Sequence, residues 1–262
     1  MPFTVSHAAA VLPIHHWGRQ LPLTALMVGS MAPDFGYIFS YEASRALTHS
    51  FAGLFTFSLP VGLFVWLFYV AVLEKATITL LSDRWHTRFA HTGAITWPLV
   101  LRAGLAIVLG AATHLLWDSF THRGTFVTDA FPVLLGPTPG FAWLPIYHLL
   151  HGLSSVVGLV ILGYWMRHLQ RQPARSLVRP YPVGEQALAI ARWSLVAALV
   201  LGAAWQWLPR AHARYDTQMF FAAVGGMSAF FVAWCGVALA MWIDARRRSR
   251  RSPGDTNRLP KV

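Results

Sequence analysis

Leu99-Val100-Leu101-Arg102-Ala103-Gly104-Leu105-Ala106-Ile107-Val108-Leu109-Gly110-Ala111-Ala112-Thr113-His114-Leu115-Leu116-Trp117-Asp118-Ser119-Phe120-Thr121-His122 is the stretch that decides the fold. Its first part is an apolar segment of helix length. Its end carries two imidazoles and a carboxylate, His114, Asp118 and His122, at i, i+4 and i+8. Steps of four advance about 40° around a helix of 3.6 residues per turn, so the three side chains share one face. Imidazole and carboxylate on one face form the donor set of a divalent transition metal. Burying such a cluster in so apolar a protein is costly unless something binds it.

Of the 262 residues, 55% are apolar and only 12% charged, and the mean hydropathy is +0.47. These values exclude an ordinary soluble domain and predict an integral membrane protein. The net charge of +11 would suit nucleic acid, but seven of the 21 basic residues sit in the C-terminal tail and others cluster between apolar runs. That pattern reads as membrane topology, so no nucleic-acid partner is expected. The single cysteine, Cys235, excludes an intramolecular disulfide and a cysteine-based zinc site. The first dozen residues carry no Lys or Arg ahead of their apolar stretch and do not read as a secretory signal.

Five segments reach the roughly 20 residues a bilayer requires, near Phe51–Leu73, Leu99–Leu116, Ile146–Met166, Leu188–Leu208 and Met219–Ile243. Pro60 is expected to kink the first. Lys75, Arg84 and Arg88 follow the first span; Arg167, Arg171, Arg175 and Arg179 follow the third; and the tail after the fifth is strongly basic. The other side has only Arg45, Arg123, Arg210 and Arg214. The positive-inside rule then places the C-terminus in the cytoplasm of a multi-pass inner-membrane protein. Pro13, Pro22 and Pro33 cut the first 45 residues into short interfacial helices, with a span over Leu21–Phe39 as the alternative. The expected fold is all-α: a polytopic transmembrane helical bundle over residues 46–245, an N-terminal interfacial segment over 1–45, and a disordered basic tail over 246–262. Phe131 to Pro145, rich in proline and glycine, reads as an outer loop.

This threading brings the polar residues to one membrane face. His49 precedes the first span; His114, Asp118 and His122 end the second; and His148 and His151 begin the third. His7 and Asp34 lie in the segment leading to the same end. His15, His16, His86, His91, His168 and His212 read as interfacial anchors, and Asp129 and Glu42 as solvated loop charges. Plainer roles stand beside the metal reading. His148 reads as interfacial. His114 with Asp118 could be a hydrogen-bonded pair holding a helix end, and Asp34 after Pro33 could be a helix N-cap. The Gly152-Leu153-Ser154-Ser155 run predicts close helix packing beside His151.

The opening Met1-Pro2-Phe3-Thr4-Val5-Ser6-His7, Gly29-Ser30-Met31-Ala32-Pro33-Asp34, Thr48-His49-Ser50 and His114-Leu115-Leu116-Trp117-Asp118 resemble a family of bacterial membrane proteins, domain of unknown function 4184. More distantly, the same order of motifs is similar to inner-membrane metal-dependent hydrolases induced by DNA damage, and to the zinc-dependent phospholipase C and P1-nuclease group. The second likeness implies one metal on Asp34, His49, His114 and Asp118, and another on His7 and Asp118, with Asp118 as the bridge. Two parts of that group's pattern are missing. Ser155 stands where a glutamate would follow His151, and no N-terminal tryptophan is present.

The chemistry expected is therefore a metal-dependent hydrolase, zinc its cofactor, working at the bilayer on a phospholipid or lipid-linked phosphoester. His122 or His151 would act as general acid or orient a ligand, and Arg123 would steady a phosphate oxygen. The alternatives are a structural metal or a hydrogen-bonded cluster in a non-enzymatic protein, or a transporter. The last two spans are nearly free of the mid-membrane ionisable residues that a transport path would need.

Overall fold

Proline, glycine and hydroxyl residues punctuate the chain into helices. In the computed structural model the order is a 3-10 turn (Thr4–Val11), α1 (Leu12–Trp17), α2 (Leu23–Met31), a second 3-10 turn (Ala32–Ile38), α3 (Tyr41–Thr48), α4 (Phe51–Leu80), α5 (Trp97–Thr121) and α6 (Phe126–Ala130). A hairpin of β1 (Pro137–Thr138) and β2 (Phe141–Pro145), then α7 (Ile146–Arg171), α8 (Glu185–Trp207) and α9 (Tyr215–Arg251), follow, with single helical turns at Asp83–His86, Pro132–Leu135 and Leu208–Arg210 between the longer elements. The structure describes residues 4–18, 20–38, 41–89, 91–173, 178–210, 212 and 215–251. The Ser50 hydroxyl accepts the Gly53 N–H at 2.9 Å and starts α4. Pro98 opens α5, where its missing N–H costs nothing.

Among the described residues, five helical stretches are long and apolar enough to cross a membrane: Phe51–Leu80, Trp97–Ala130, Ile146–Arg171, Glu185–Arg210 and Thr217–Ser249. The all-α, polytopic architecture expected from the sequence is the one observed. Leu21–Phe39 does not form a span. Helix α2 ends at Met31 and the chain tightens into a 3-10 turn around Pro33. Around Pro60 the first span carries a π-helical turn at Leu54–Ser58, a wide turn of the kind that marks local strain in a helix.

The chain divides into two units. The first comprises residues 1–67 and 93–171. Here α2 lies against α5 at a separation only glycine permits: a Cβ at Gly29 would fall on the backbone of Ile107, and one at Gly110 on that of Leu26 and Ser30. Gly62 of α4 accommodates the Ile107 side chain in the same way. The buried Trp66 indole donates to the Thr24 hydroxyl at 3.0 Å, tying α4 to α2. The Thr4–Val11 turn packs on α2, α5 and α7, with Ala8, Ala9 and Val11 buried. Its Ser6 sits against Gly158 of α7. The close packing of α7 therefore falls at Gly158 and not at Gly152, where an added Cβ would meet open space.

The second unit comprises residues 68–92 and 172–262. Helices α8 and α9 form a tight hairpin at Gly202 and Gly225, and Leu73, Ala76, Leu188, Ala238 and Met241 make its core. Arg179 and Arg192 donate to the carbonyls of Thr79, Leu80 and Leu81, which the end of α4 leaves without helical partners. Three expectations change. His86, read as an interfacial anchor, is buried. The basic tail continues α9 as helix to Arg251, supported by an Arg248–Asp244 ion pair at i, i+4, and residues 252–262 lie outside those described. In the first unit, the loop after α6 folds as a hairpin whose turn uses Gly140 at positive φ.

The contact between α2 and α5 predicts that Gly110→Ala lowers the thermal midpoint in detergent, at a cost of roughly 1–3 kcal/mol. Gly104→Ala, where a Cβ meets only ordinary contacts with Leu59 and Leu63, should leave the midpoint nearly unchanged. Equal midpoints for the two variants would mean that the helices do not approach through Gly110.

Candidate metal centre

Four segments of the first unit deliver the polar side chains. His114 and Asp118 project one turn apart from the last turns of α5. His49 sits in the turn between α3 and α4, where its N–H donates to the Arg45 carbonyl at 3.0 Å. Asp34 lies in the 3-10 turn after α2, and His7 in the turn that packs on α2 and α5. The start of α4 and the end of α5 thus meet at one end of the bundle, and the N-terminal segment supplies the remaining donors.

The donor atoms lie at a distinctive spacing. Nε2 of His49 is 3.4 Å from Asp34 Oδ1 and 3.6 Å from Asp118 Oδ2. Nε2 of His114 is 3.6 Å from each of the same two oxygens, and Nε2 of His7 is 3.7 Å from Asp118 Oδ1. These separations exceed the roughly 2.7–3.2 Å of a good N–H···O bond. They approach the edge of a coordination tetrahedron: two ligands about 2.0–2.1 Å from one ion lie about 3.3–3.4 Å apart. Two groups, His7 with His114 and Asp118, and Asp34 with His49 and His114, are each close enough to hold an ion. The two oxygens of Asp118 face different histidines, Oδ1 towards His7 and Oδ2 towards His49 and His114.

Hydrogen bonds set the imidazoles up as ligands. His114, 0% exposed, donates from Nδ1 to the Ser30 carbonyl at 2.7 Å, so the neutral ring carries its lone pair on Nε2. His49 Nδ1 pairs with the Thr48 hydroxyl at 2.9 Å. Both nitrogens of His7, Nε2 of His114 and Oδ1 of Asp118 are buried and have no hydrogen-bond partner among the described residues. Each such atom costs about 1–3 kcal/mol if nothing engages it. The donor set fits a divalent ion by number, type and orphaned atoms.

The charge states of His7 and Asp34 agree with that fit. Burial, reinforced by the stacked His114 ring 4.0 Å away, pushes His7 down to about 4. Burial alone would raise Asp34. The His49 ring, the nearby His114 and the Thr4 hydroxyl, which donates at 2.7 Å, outweigh it and hold the carboxyl below its ordinary value. At pH 7 His7 is a neutral imidazole and Asp34 an anion. Asp34 is therefore a buried acceptor rather than the N-cap its Pro33 neighbour suggested.

This chain belongs to the family of domain of unknown function DUF4184. The family model matches residues 1–242. No curated protein and no solved structure matches the chain. The match assigns a family and no reaction.

The other candidates in this DUF4184 chain are placed unevenly. Helix α5 ends at Thr121, so His122 is extended and not at a helical i+8 position; its Nδ1 is nevertheless 3.4 Å from Asp118 Oδ2. His151 stacks edge-on to His122 at 5.4 Å between ring centroids, and His148 follows at 5.9 Å from His151. Arg123 and Asp129 are exposed, and Arg123 pairs with none of the cluster carboxylates. The side chain of Glu42 lies outside those described. Sequence reasoning missed Arg45, whose guanidinium is 3.7 Å from Asp118 Oδ2. The signal was its place four residues before His49, which sets both on one face if α3 is a helix.

Protonating His7 costs the folded chain more than the unfolded one. The stability of metal-free protein should therefore hold above the ordinary histidine value of 6.5 and fall as the pH drops towards about 4. Asp34, lowered from 3.8, adds a loss of the same sign at more acid pH. Thermal midpoints across this range should show His7→Gln keeping more of its stability than wild type between pH 6.5 and 4. Parallel curves would remove His7 from the buried, neutral state described.

Proposed function

We propose that this protein is a membrane-embedded, metal-dependent hydrolase that uses zinc to cleave a phosphoester, its substrate a phospholipid or lipid-linked phosphate. The observation that carries the reading is the convergence of imidazole and carboxylate atoms at 3.4–3.7 Å, close to the ligand–ligand spacing around one ion. His7, Asp34, His49, His114 and Asp118 are the ligands. The two-sided orientation of Asp118 suits either one ion or a bridged pair.

A divalent ion there would supply Lewis acidity and bring the pKa of a water towards neutrality. The protein's part is to hold the ligands in one tautomer, exclude bulk water and deliver a proton. His122, 17% exposed at its side chain and beside Asp118, would take the proton that the attacking water gives up as its oxygen bonds phosphorus and pass it to the leaving alkoxide as the P–O bond breaks, with His151 orienting it. The distribution of Lys and Arg supports a cytoplasmic C-terminus in the inner membrane, with the site on the outer face.

A structural metal is the second reading, favoured by the near-complete burial of His114 and Asp118. The partly open rim at His122 and Arg45 favours hydrolysis.

Elemental analysis of detergent-purified protein should find about one or two zinc ions per chain, lost in His114→Ala and Asp118→Ala. His122→Ala should keep the metal and lower phosphoester turnover by about a hundredfold or more. Wild type without metal after zinc-supplemented purification would end the proposal. Metal without turnover across a phosphoester panel would leave the structural reading.

A further inference from the structure

We infer that Arg45 is the anion-recognition residue of this site and that the group it recognises is a phosphoryl oxyanion. The inference rests on the metal reading above and adds the partner of the site's open side. Arg45 lies on α3, one turn before His49, with Nη2 3.7 Å from Asp118 Oδ2. Its side chain is 30% exposed, whereas that of Asp118 is 5% exposed. The guanidinium thus stands between the buried donors and the surroundings.

Charge makes that position informative. Asp34 and Asp118 supply two negative charges, which one divalent ion already neutralises. A fixed guanidinium charge beside the same carboxylate then repels the ion, and two ions would enlarge the excess. A site built only to retain metal gains nothing from a cation on its rim. A site that takes an anion does, because the anion sees the ion and the guanidinium together. The planar fork of arginine matches two oxygens of a phosphate, and the remaining oxygens are left to face the ion. Arg123, next to His122 in the chain, is exposed.

Phosphoryl oxygens could come from a lipid headgroup or from a soluble phosphate, and the test separates them. Full-length protein in detergent is loaded with zinc, its metal content measured, and titrated calorimetrically with inorganic phosphate and with a short-chain phosphatidic acid kept below its micelle concentration. Wild type should bind at least one of them. Arg45→Gln should retain its zinc and bind that ligand roughly ten- to a hundredfold more weakly. Arg45→Lys should keep the zinc and lie between the two, and it carries the test if Arg45→Gln does not fold. Tighter binding of phosphatidic acid than of inorganic phosphate identifies the headgroup as source, and the reverse a soluble phosphate.

Zinc-loaded wild type that binds neither anion overturns the inference and leaves the metal site standing. So does unchanged affinity in both variants, or loss of zinc on substitution, which would make Arg45 a positioning residue for Asp118. Wild type that takes up no zinc fails at the first step and overturns the metal reading with it.

Discussion

The hydrogen bond from His114 Nδ1 to the Ser30 carbonyl couples the packing of the bundle to the chemistry of its end. It exists because α2 and α5 touch through Gly29 and Gly110, which brings a backbone carbonyl of one helix to an imidazole of the other. A carbonyl can only accept, so the contact fixes which nitrogen of His114 carries the proton. It also directs Nε2 towards Asp34 and Asp118. Two glycines with no chemistry of their own therefore decide the tautomer at the centre of the site.

Much of this was legible in the sequence. Long apolar runs have few alternatives to membrane helices, because only they satisfy their own backbone in lipid. The five spans, and the meeting of His49, His114 and Asp118 at one end of them, were legible from length and charge. The N-terminal segment was less legible, since its helices are too short for periodicity to reveal what they pack against. The buried Leu26 packs at Gly110, and Ser6 at Gly158, glycines far away in the chain. Arg45 escaped notice because a lone arginine near a span reads as topology; its neighbour Asp118 is far off in sequence and close only once α3 and α5 are placed. His122 shows the opposite limit, since the helical register that predicted it fails by one residue while the proximity survives.

The electrostatics of the cluster explain why these groups are held as they are. Two carboxylates and several imidazoles, most of them buried, stand within a few ångströms in surroundings that screen charge poorly. A neutral His7 does not balance the carboxylates, because protonating it is opposed by its burial and its stacked neighbour. Arg45 offsets part of the carboxylate charge from a partly exposed position. A divalent cation would supply further positive charge and a partner for the buried atoms that lack a hydrogen bond.

That compensation has a structural consequence. The donors come from the Thr4–Val11 turn, the Ala32–Ile38 turn, the α3–α4 junction and α5, so an ion on them would tie together segments otherwise joined mainly by small-residue contacts. Anything that binds the docked arrangement more tightly than the undocked one stabilises it by mass action. Docking of the N-terminal segment and ligation at the site are then two views of one equilibrium. The apolar packing of Ala8, Ala9 and Val11 brings His7 to the cluster, and engagement of its Nε2 would in turn hold that packing in place. A segment too short to span a membrane can on this account be as fixed as the helices it leans on, because its anchor is chemical as well as apolar.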